Sequence, residues 1–274
     1  MKTAAKRWTA LALGLLMLLT MAGCSADLGA MLLVKKAYDA VSRVQSVSFE
    51  GDVEAKVQLR DADMEADVKA EADGCCTVSP AALKADAAVQ LNGLSSQTMP
   101  VYVMWEDGAA GVYVGMSILG STIWLSERIE ISSDISSGSR EDVMSFLESC
   151  NEPLVRGKEE LVNGAAAIPL SLTIPGGSFT GVTVEAADGE SAAELPQVED
   201  VLLTVWLDKK SHLPVKAQAD IHSPMQYLLE QYNSPAIPEM TITSMPVTVY
   251  FTGYDNVSPI VLPEGARQAA KNAA

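Results

Sequence analysis

Apolar and polar residues alternate with a period of two along most of the chain after residue 45. From Val47 to Leu59 every second residue is apolar or glycine, and the residues between them are polar. This alternation predicts a strand with one apolar and one wet face. Similar segments predict further strands at 62–72, 83–91, 99–106, 111–118, 121–128, 154–162, 165–174, 200–208, 213–221, 240–245 and 247–254.

Turns between these strands are marked by breaks in the pattern. The alternation slips by one residue at Arg60–Asp61, which requires a turn or a bulge. Asp73–Gly74 carries a turn signal, and Asn163–Gly164 predicts a two-residue hairpin turn. The strands follow one another without the helices that parallel pairing needs. The pattern therefore predicts an antiparallel sheet with one covered face.

Helical spacing occurs in two places. Residues 30–44 place their apolar side chains on one face, and Ser139 and Asp142 open a second predicted helix that Pro153 ends. Residues 175–199 indicate a long loop, and the tail from Glu264 is expected to be frayed. An irregular stretch is expected around three prolines, Pro224, Pro235 and Pro238. Neither a repeat nor a clean linker interrupts residues 30–274, so these form one predicted domain.

The first 24 residues follow a different pattern. Three basic residues precede an apolar run from Leu11 to Met21, and the run closes on Met21-Ala22-Gly23-Cys24. This is the layout of a secretory signal. The last four residues resemble the lipobox of bacterial lipoproteins, although Met21 stands where leucine is commonest. The resemblance implies a signal peptide at 1–23, lipidation of Cys24 and a lipidated tether at 24–29.

Two other interpretations of this segment stay open. It could be an uncleaved transmembrane anchor, although a span takes roughly 20 apolar residues and this run is shorter. It could also be an ordinary cleaved signal. No later stretch is long and apolar enough to cross a bilayer. The rest of the chain is therefore expected outside the cytoplasm, on the extracytoplasmic face of a bacterial cell membrane.

The charge balance excludes some partners. Without the three basic residues of 1–23, the 19 Lys and Arg fall to 16 against 35 Asp and Glu, a net charge of −19. Nucleic acid is excluded as a partner because phosphate binding needs clustered Lys and Arg. An anionic bilayer would also repel this chain. Acyl chains therefore have to supply the membrane attachment.

Few residues suggest chemistry. Cys75, Cys76 and Cys150 would remain after processing; Cys150 could form a disulfide with either of the others, or all three could be idle thiols. His212 and His222 belong to no acid–base or nucleophile motif, and no catalytic residue, metal ligand set or cofactor is predicted. A calcium site on the acidic comb is disfavoured because a flat strand spreads its carboxylates. The comb comprises Asp61, Asp63, Glu65 and Asp67.

Several segments taken together resemble a known family. They are the strand SVSFEGDVEAKVQL, the hairpin GKEELVNGAAAIPLSLTI, the strand pair LTVWLDKKSHLPVKAQADI and the closing YDNVSPIVLPEGARQAA. Their order is similar to that of bacterial lipoproteins of the LolA/LppX/LprG-like superfamily, and most similar to members from Gram-positive bacteria. The resemblance implies a mainly β (α+β) fold, a curved antiparallel half-barrel sheet covering two or more helices around an apolar cavity. Members of known role carry lipids or acylated proteins across the envelope, and some relatives sense envelope stress.

Twelve apolar residues are the candidates for lining that cavity. Many positions between them are Ala or Gly, which leaves room either for helix backbone or for an acyl chain. A plain packed core and a ligand cavity both fit this pattern. The candidates are Phe49, Val53, Val57, Leu59, Met64, Val68, Leu83, Val89, Leu91, Val101, Val103 and Trp105.

Two functions follow as expectations, and neither is enzymatic. The first is a lipid-anchored lipoprotein that binds or carries a lipid or acyl chain. The alternative is a lipid-anchored interaction or envelope-sensing module with a filled core, whose partner would be an envelope protein.

Overall fold

The structure is a computed structural model of the whole chain. It describes residues 28–59, 64–95, 97–106, 109–118, 121–130, 154–179, 197–232 and 240–273. Several predicted features lie outside these residues, namely the signal peptide 1–23 with Cys24, the helix at 139–150 and most of the loop at 175–199.

Strands dominate the described residues, together with three helices and a short 3-10 turn at Gly176–Phe179. The helices are α1 (Leu28–Val41), α2 (His222–Tyr232) and α3 (Glu264–Ala273). The strands are β1 (Ser46–Leu59), β2 (Met64–Val78), β3 (Ala81–Leu91), β4 (Leu94–Ser95), β5 (Met99–Glu106), β6 (Ala109–Ile118), β7 (Ser121–Glu130), β8 (Val155–Arg156), β9 (Glu160–Val162), β10 (Ala165–Ile174), β11 (Val201–Asp208), β12 (Pro214–Asp220), β13 (Met240–Ser244) and β14 (Pro246–Tyr254).

The described strands form one antiparallel sheet in the order β7-β6-β5-β3-β2-β1-β14-β12-β11-β10-β8. Three short strands are added at its margins, β4 beside β3, β9 beside β10 and β13 beside β1. Strand twist accumulates across a sheet this wide, so it has to curl. The predicted fold class, an open antiparallel half-barrel with helices, is confirmed.

Two hairpins form where the sequence pattern placed them. Asn163 and Gly164 have φ of 49° and 81°, as a two-residue hairpin turn requires. The slip at Arg60–Asp61 falls between β1 and β2, whose described ends pair Leu59 with Met64. Because directly paired residues share a face, the slip keeps the apolar residues of both strands together.

One predicted turn is wrong. Asp73 and Gly74 lie inside β2, and the chain turns instead at Ser79–Pro80. Gly74 pairs with Phe49, whose ring crosses it. A Cβ at Gly74 would lie 2.6 Å from Phe49 Cζ and 2.7 Å from the Lys84 carbonyl oxygen. The glycine therefore makes room for an aromatic side chain within the sheet and ends no strand.

Two helices occupy segments that were predicted to be irregular. α2 forms at the start of the stretch that was predicted to be irregular. It tolerates Pro224 because this proline lies in the first helical turn, where the missing N–H has no hydrogen-bond partner to lose. His222 accordingly begins a helix and does not end a strand. The tail from Glu264, predicted to be frayed, is α3, with Ala266 fully buried. Ile260 and Leu262, just before α3, pack with Tyr102 and Trp124.

The largest core lies between α1 and strands β10, β11 and β12. Ala30, Val34 and Ala37 of α1 pack on side chains of β10 and β11 that are only 1–4 % exposed. Those strand residues are Leu170, Leu172, Ile174, Val201, Val205 and Leu207. One end of the sheet is therefore closed by a helix. None of the helices in the described ranges is long and apolar enough to span a membrane.

Asp220, the last residue of β12, links the end of this strand to the turn between β13 and β14. Its Oδ1 accepts hydrogen bonds from the N–H groups of Met245 (2.9 Å) and His222 (3.1 Å), and lies 2.9 Å from His222 Nδ1. Burial acts to raise the pKa of this carboxyl, but the hydrogen bonds from Met245 and His222 outweigh it. The pKa of Asp220 therefore lies below its ordinary value of 3.8.

The variant Asp220→Asn should be less stable than the wild type near pH 7, and the difference should shrink below about pH 4. A folded-state pKa below the unfolded one stabilises the fold above the unfolded pKa, and this contribution is lost as the pH falls through the folded pKa. Denaturant unfolding of both proteins near pH 7 and at about pH 3 measures the difference. An equal loss at both values would show that the carboxylate charge is not involved.

Candidate functional site

The twelve candidate residues lie on one face of the sheet, here called the apolar face. The register pairs Val53 with Ala70 and Ala70 with Val89, and two rows further along the same face it aligns Phe49 through Gly74 and Ala85 with Val101. Directly paired residues project to the same side. The apolar face of β1, β2, β3 and β5 is thus continuous, and it contains all twelve residues.

This face is also the one that α1 covers at the other end of the sheet. Val53 pairs with Val247, Val247 with Ala219, and Ala219 with Leu203, which packs in the α1 core. The two ends differ in exposure. Six β10 and β11 side chains beneath α1 are at least 96 % buried, whereas none of the twelve candidates is fully buried.

Of the other described helices, α2 packs beside β13, which pairs with β1 at Val57 and Leu59, and α3 packs against β7 on the opposite face, where Gly265 approaches the Trp124 ring. A partly exposed row of Val, Leu and Phe side chains is unusual in a packed core, where such residues are normally buried. The contrast with the α1 end therefore favours a surface that receives an apolar group.

Small side chains on β2 form a shallow trough in the apolar face. The cross-strand row Gly51, Ala72 and Ala87 contains nothing larger than a methyl group. Larger side chains border this row: Phe49 and Val53 on β1, and Val89 on β3. The trough follows β2, between the larger side chains of β1 and β3.

The trough ends at two hairpin tips where apolar side chains are exposed. Met64 begins β2 and is 50 % exposed, and Leu91 ends β3 and is 51 % exposed. Leu94, which the sequence reasoning missed, is 77 % exposed across a tight turn from Leu91. Asn92 and Gly93 form this turn with φ of 48° and 77°. The Asn-Gly pair in the sequence is a hairpin-turn signal, and it could have indicated that Leu94 lies across from Leu91.

The apolar face extends further than the sequence reasoning placed it. Val101 pairs with Val114 on β6, and Val114 with Leu125 on β7, which is 54 % exposed. Both strands were predicted, but their apolar residues were not assigned to a face. Across β1, β2, β3, β5, β6 and β7, five spacings of about 4.8 Å make this part of the apolar face roughly 24 Å wide.

The two adjacent cysteines lie on opposite faces of β2. Cys76 pairs with Val47 and Leu83 on the apolar face, where burial raises the pKa of its thiol to about 12. Cys75 lies on the other face opposite Lys84, and burial raises its pKa as well. Both are free thiols, and protonated thiols are poor nucleophiles. Cys150 lies outside the described residues, so a disulfide with it stays a prediction.

The histidines hold turns together. His212 has a φ of 61° in the turn after β11, and His222 lies between Asp220 and Glu199, with 3.6 Å from its Nε2 to Glu199 Oε2. In the part of the chain that the structure describes, no group of His, Cys, Asp and Glu could hold a metal ion. Glu65 and Asp67 of the acidic comb belong to that part, and Asp61 and Asp63 do not.

The face opposite the apolar face is strongly acidic near β1 and β2. Glu50 pairs with Asp73, and Asp52 with Glu71, so like charges stand directly across from each other. Lys69 neutralises Glu54 at 2.7 Å in the next row. Opposed carboxylates repel each other and any phosphate. This outer face is therefore incompatible with nucleic acid.

Fold and site together define an open antiparallel half-barrel with one end of its apolar face closed by a helix and the other end accessible. No family model and no curated protein matches the chain. Several solved structures are similar to it, at low identity.

The chain is similar to the crystal structure of the lipoprotein LppX of Mycobacterium tuberculosis, at 14 % identity over 86 % of this chain and 100 % of that one, with a TM-score of 0.47. It is also similar to LprF of Mycobacterium bovis, at 11 % identity over 89 % of this chain and 100 % of LprF, with a TM-score of 0.43. A third similar structure is an outer membrane lipoprotein-sorting protein domain of Vibrio parahaemolyticus. Its identity is 15 % over 87 % of this chain and 96 % of that domain, with a TM-score of 0.27. LppX is also one of the proteins that name the superfamily which the sequence motifs resemble.

Proposed function

We propose that this protein is a lipid-anchored lipoprotein of the extracytoplasmic membrane face that binds a lipid or acyl chain in the trough of its apolar face. The observation that carries the proposal is the difference in burial along one face. Beneath α1 six side chains of β10 and β11 are only 1–4 % exposed, whereas the twelve candidates on β1, β2, β3 and β5 all keep contact with solvent.

The driving force for binding would be hydrophobic. Each 100 Å² of apolar surface removed from water is worth about 2.5 kcal/mol, before the cost of immobilising the ligand. No charged group of β1, β2 or β3 lies in the trough, because the alternation sends Glu50, Asp52, Glu71 and Asp73 to the other face. An acyl chain could therefore lie along β2 without burying a charge, and a charged headgroup would have to stay outside.

The anchor comes from the N-terminal residues and supports the same function. Diacylation of Cys24 would hold the trough at a membrane that is itself a source of acyl chains. The surface charge would not provide this attachment, because an acidic protein is repelled by anionic lipid. Together the anchor and the trough would place a hydrocarbon-binding surface beside hydrocarbon.

Filling the trough tests the site, and β3 offers a matched pair of alanines. Ala87 lies in the trough row, and the adjacent Ala88 pairs with Glu71 on the opposite face. With residues 25–274, Ala87→Trp is expected to weaken binding of a fluorescent fatty acid roughly 5- to 150-fold, which corresponds to an overpacking cost of about 1–3 kcal/mol. Ala88→Trp should bind like the wild type. Titration followed by fluorescence gives both dissociation constants.

Two results would contradict the proposal. Equal weakening by both tryptophans would place the ligand elsewhere. Failure of the wild type itself to take up the fatty acid would favour the alternative, a lipid-anchored interaction or sensing module that acts through its surface.

A further inference from the structure

The exposed ends of two hairpins form an apolar tip at one end of the sheet. The tip consists of Leu59 and Met64, which pair at the end of the β1–β2 hairpin, and of Leu91 and Leu94, which pair across the β3–β4 turn. Three of the four are between 50 % and 77 % exposed. β1 and β2 extend eight residues past the row of Gly51, Ala87 and Met99, roughly 26 Å, and β3 extends four residues, roughly 13 Å, so both hairpin ends project beyond the start of β5.

The N-terminus of α1 lies toward the same end of the sheet. α1 ends at Val41, five residues before β1 begins at Ser46, so its C-terminal end is beside the start of β1. The helix is about 21 Å long, and the β11 residues it covers, from Leu207 to Val201, extend about 20 Å. If one end of α1 is at the start of β1, its other end is therefore near Val201.

The register shows in which direction Val201 lies. Val205 aligns through Ala217 and Val249 with Gly51, and Leu203 aligns through Ala219 and Val247 with Val53. Moving from Val205 to Val201 is thus moving from Gly51 toward Leu59, the tip end of β1. Leu28, at the N-terminal end of α1, therefore lies toward the tip end of the sheet.

We infer that the tip inserts into the surface of the bilayer that carries the acyl anchor, so that the trough along β2 opens toward the lipid. This inference rests on the proposed lipidation of Cys24. Only three residues separate Cys24 from Leu28, and the four steps between them can span at most about 14 Å. The anchoring bilayer must therefore be close to the end of the sheet where the tip is exposed.

The chemistry of the tip fits a lipid surface better than a charged partner. Exposed apolar patches of this kind mark membrane or protein contacts. The carboxylates of Glu65 and Asp67 on the outer side of β2 would repel anionic headgroups but tolerate zwitterionic ones. Insertion of the tip would bring the open end of the trough to the acyl chains, which would let a ligand pass without crossing water.

A tryptophan at the tip tests the inference, and a second exposed leucine provides the control. Leu161 is 76 % exposed, nearly as much as Leu94, but it pairs with Ala166 at the opposite end of the sheet. The acylated full chain is reconstituted in phosphatidylcholine vesicles whose acyl chains carry bromine, a fluorescence quencher. Leu94→Trp should be quenched more strongly than the wild-type background, and Leu161→Trp should not.

A second tryptophan variant shows whether the quenching depends on the Leu94 substitution alone. Met64→Trp, on the other hairpin, should be quenched in the same way as Leu94→Trp. Equal quenching of tip and control tryptophans, or none at the tip, would overturn the inference and leave the tip facing water or a protein. Acylation checked by mass and fatty-acid binding measured on the same preparation keep this failure distinct from a failure of the anchor or of the trough.

Discussion

Replacing Leu172 by alanine is expected to lower the free energy of unfolding by about 2–5 kcal/mol. Leu172 lies on β10 beneath α1, is 2 % exposed and belongs to the largest core of the described residues. Truncation removes apolar contacts and leaves a cavity that a close-packed sheet and helix refill only partly. Denaturant unfolding measures the loss.

The control for this core substitution is a leucine one strand away. Leu202 on β11 pairs with Thr173, the residue after Leu172, but its side chain is on the outer face and 60 % exposed. Leu202→Ala should change the stability by no more than about 0.5 kcal/mol. If Leu172→Ala cost equally little, the α1 end of the apolar face would not be the packed core, and the contrast with the trough would disappear.

Cys24→Ser is expected to abolish membrane attachment through acyl chains. A serine cannot form the thioether, and stable anchoring takes more than one lipid signal because each buried methylene contributes only about 0.8 kcal/mol. The variant should be released from the membrane or accumulate unprocessed, and it should incorporate no labelled fatty acid. Fractionation and mass measurement of the N-terminus provide the test.

Cys75→Ser is the matched control for the anchor, because Cys75 is a free thiol within β2. It should be acylated and anchored like the wild type. Continued acylation of Cys24→Ser would contradict the lipobox hypothesis. It would favour the other two interpretations of the N-terminal segment, an uncleaved transmembrane anchor or an ordinary cleaved signal.

The strands of the sheet could be predicted because the signals that define them lie within short segments of the sequence. The alternation from Val47 to Leu59 sets which side chains share a face, and the Asn163–Gly164 pair sets a hairpin. Gly74 misled the prediction, because an interior glycine and a turn glycine look alike until the partner across the strand, here Phe49, is known. Such a partner is set by register, which is a long-range property.

The helices α2 and α3 could not be predicted from periodicity with the same ease. Pro224 suggested a break, although proline in a first helical turn is well tolerated. α3 is polar apart from its alanines, and only its packing near Trp124 shows why it is ordered. For the site, the sequence predicted that twelve residues share one face. It could not show that α1 covers the other end of that face and leaves these twelve partly exposed.

The most direct test of the central claim is the lipid content of the purified protein. Residues 25–274 retain every described residue and lack the acylated cysteine, so any lipid they carry is held by the fold. Extraction with organic solvent and mass spectrometry should find bound lipid or fatty acid in stoichiometric amount, reduced in Ala87→Trp and unchanged in Ala88→Trp. Lipid-free protein that also takes up no added fatty acid would contradict the account.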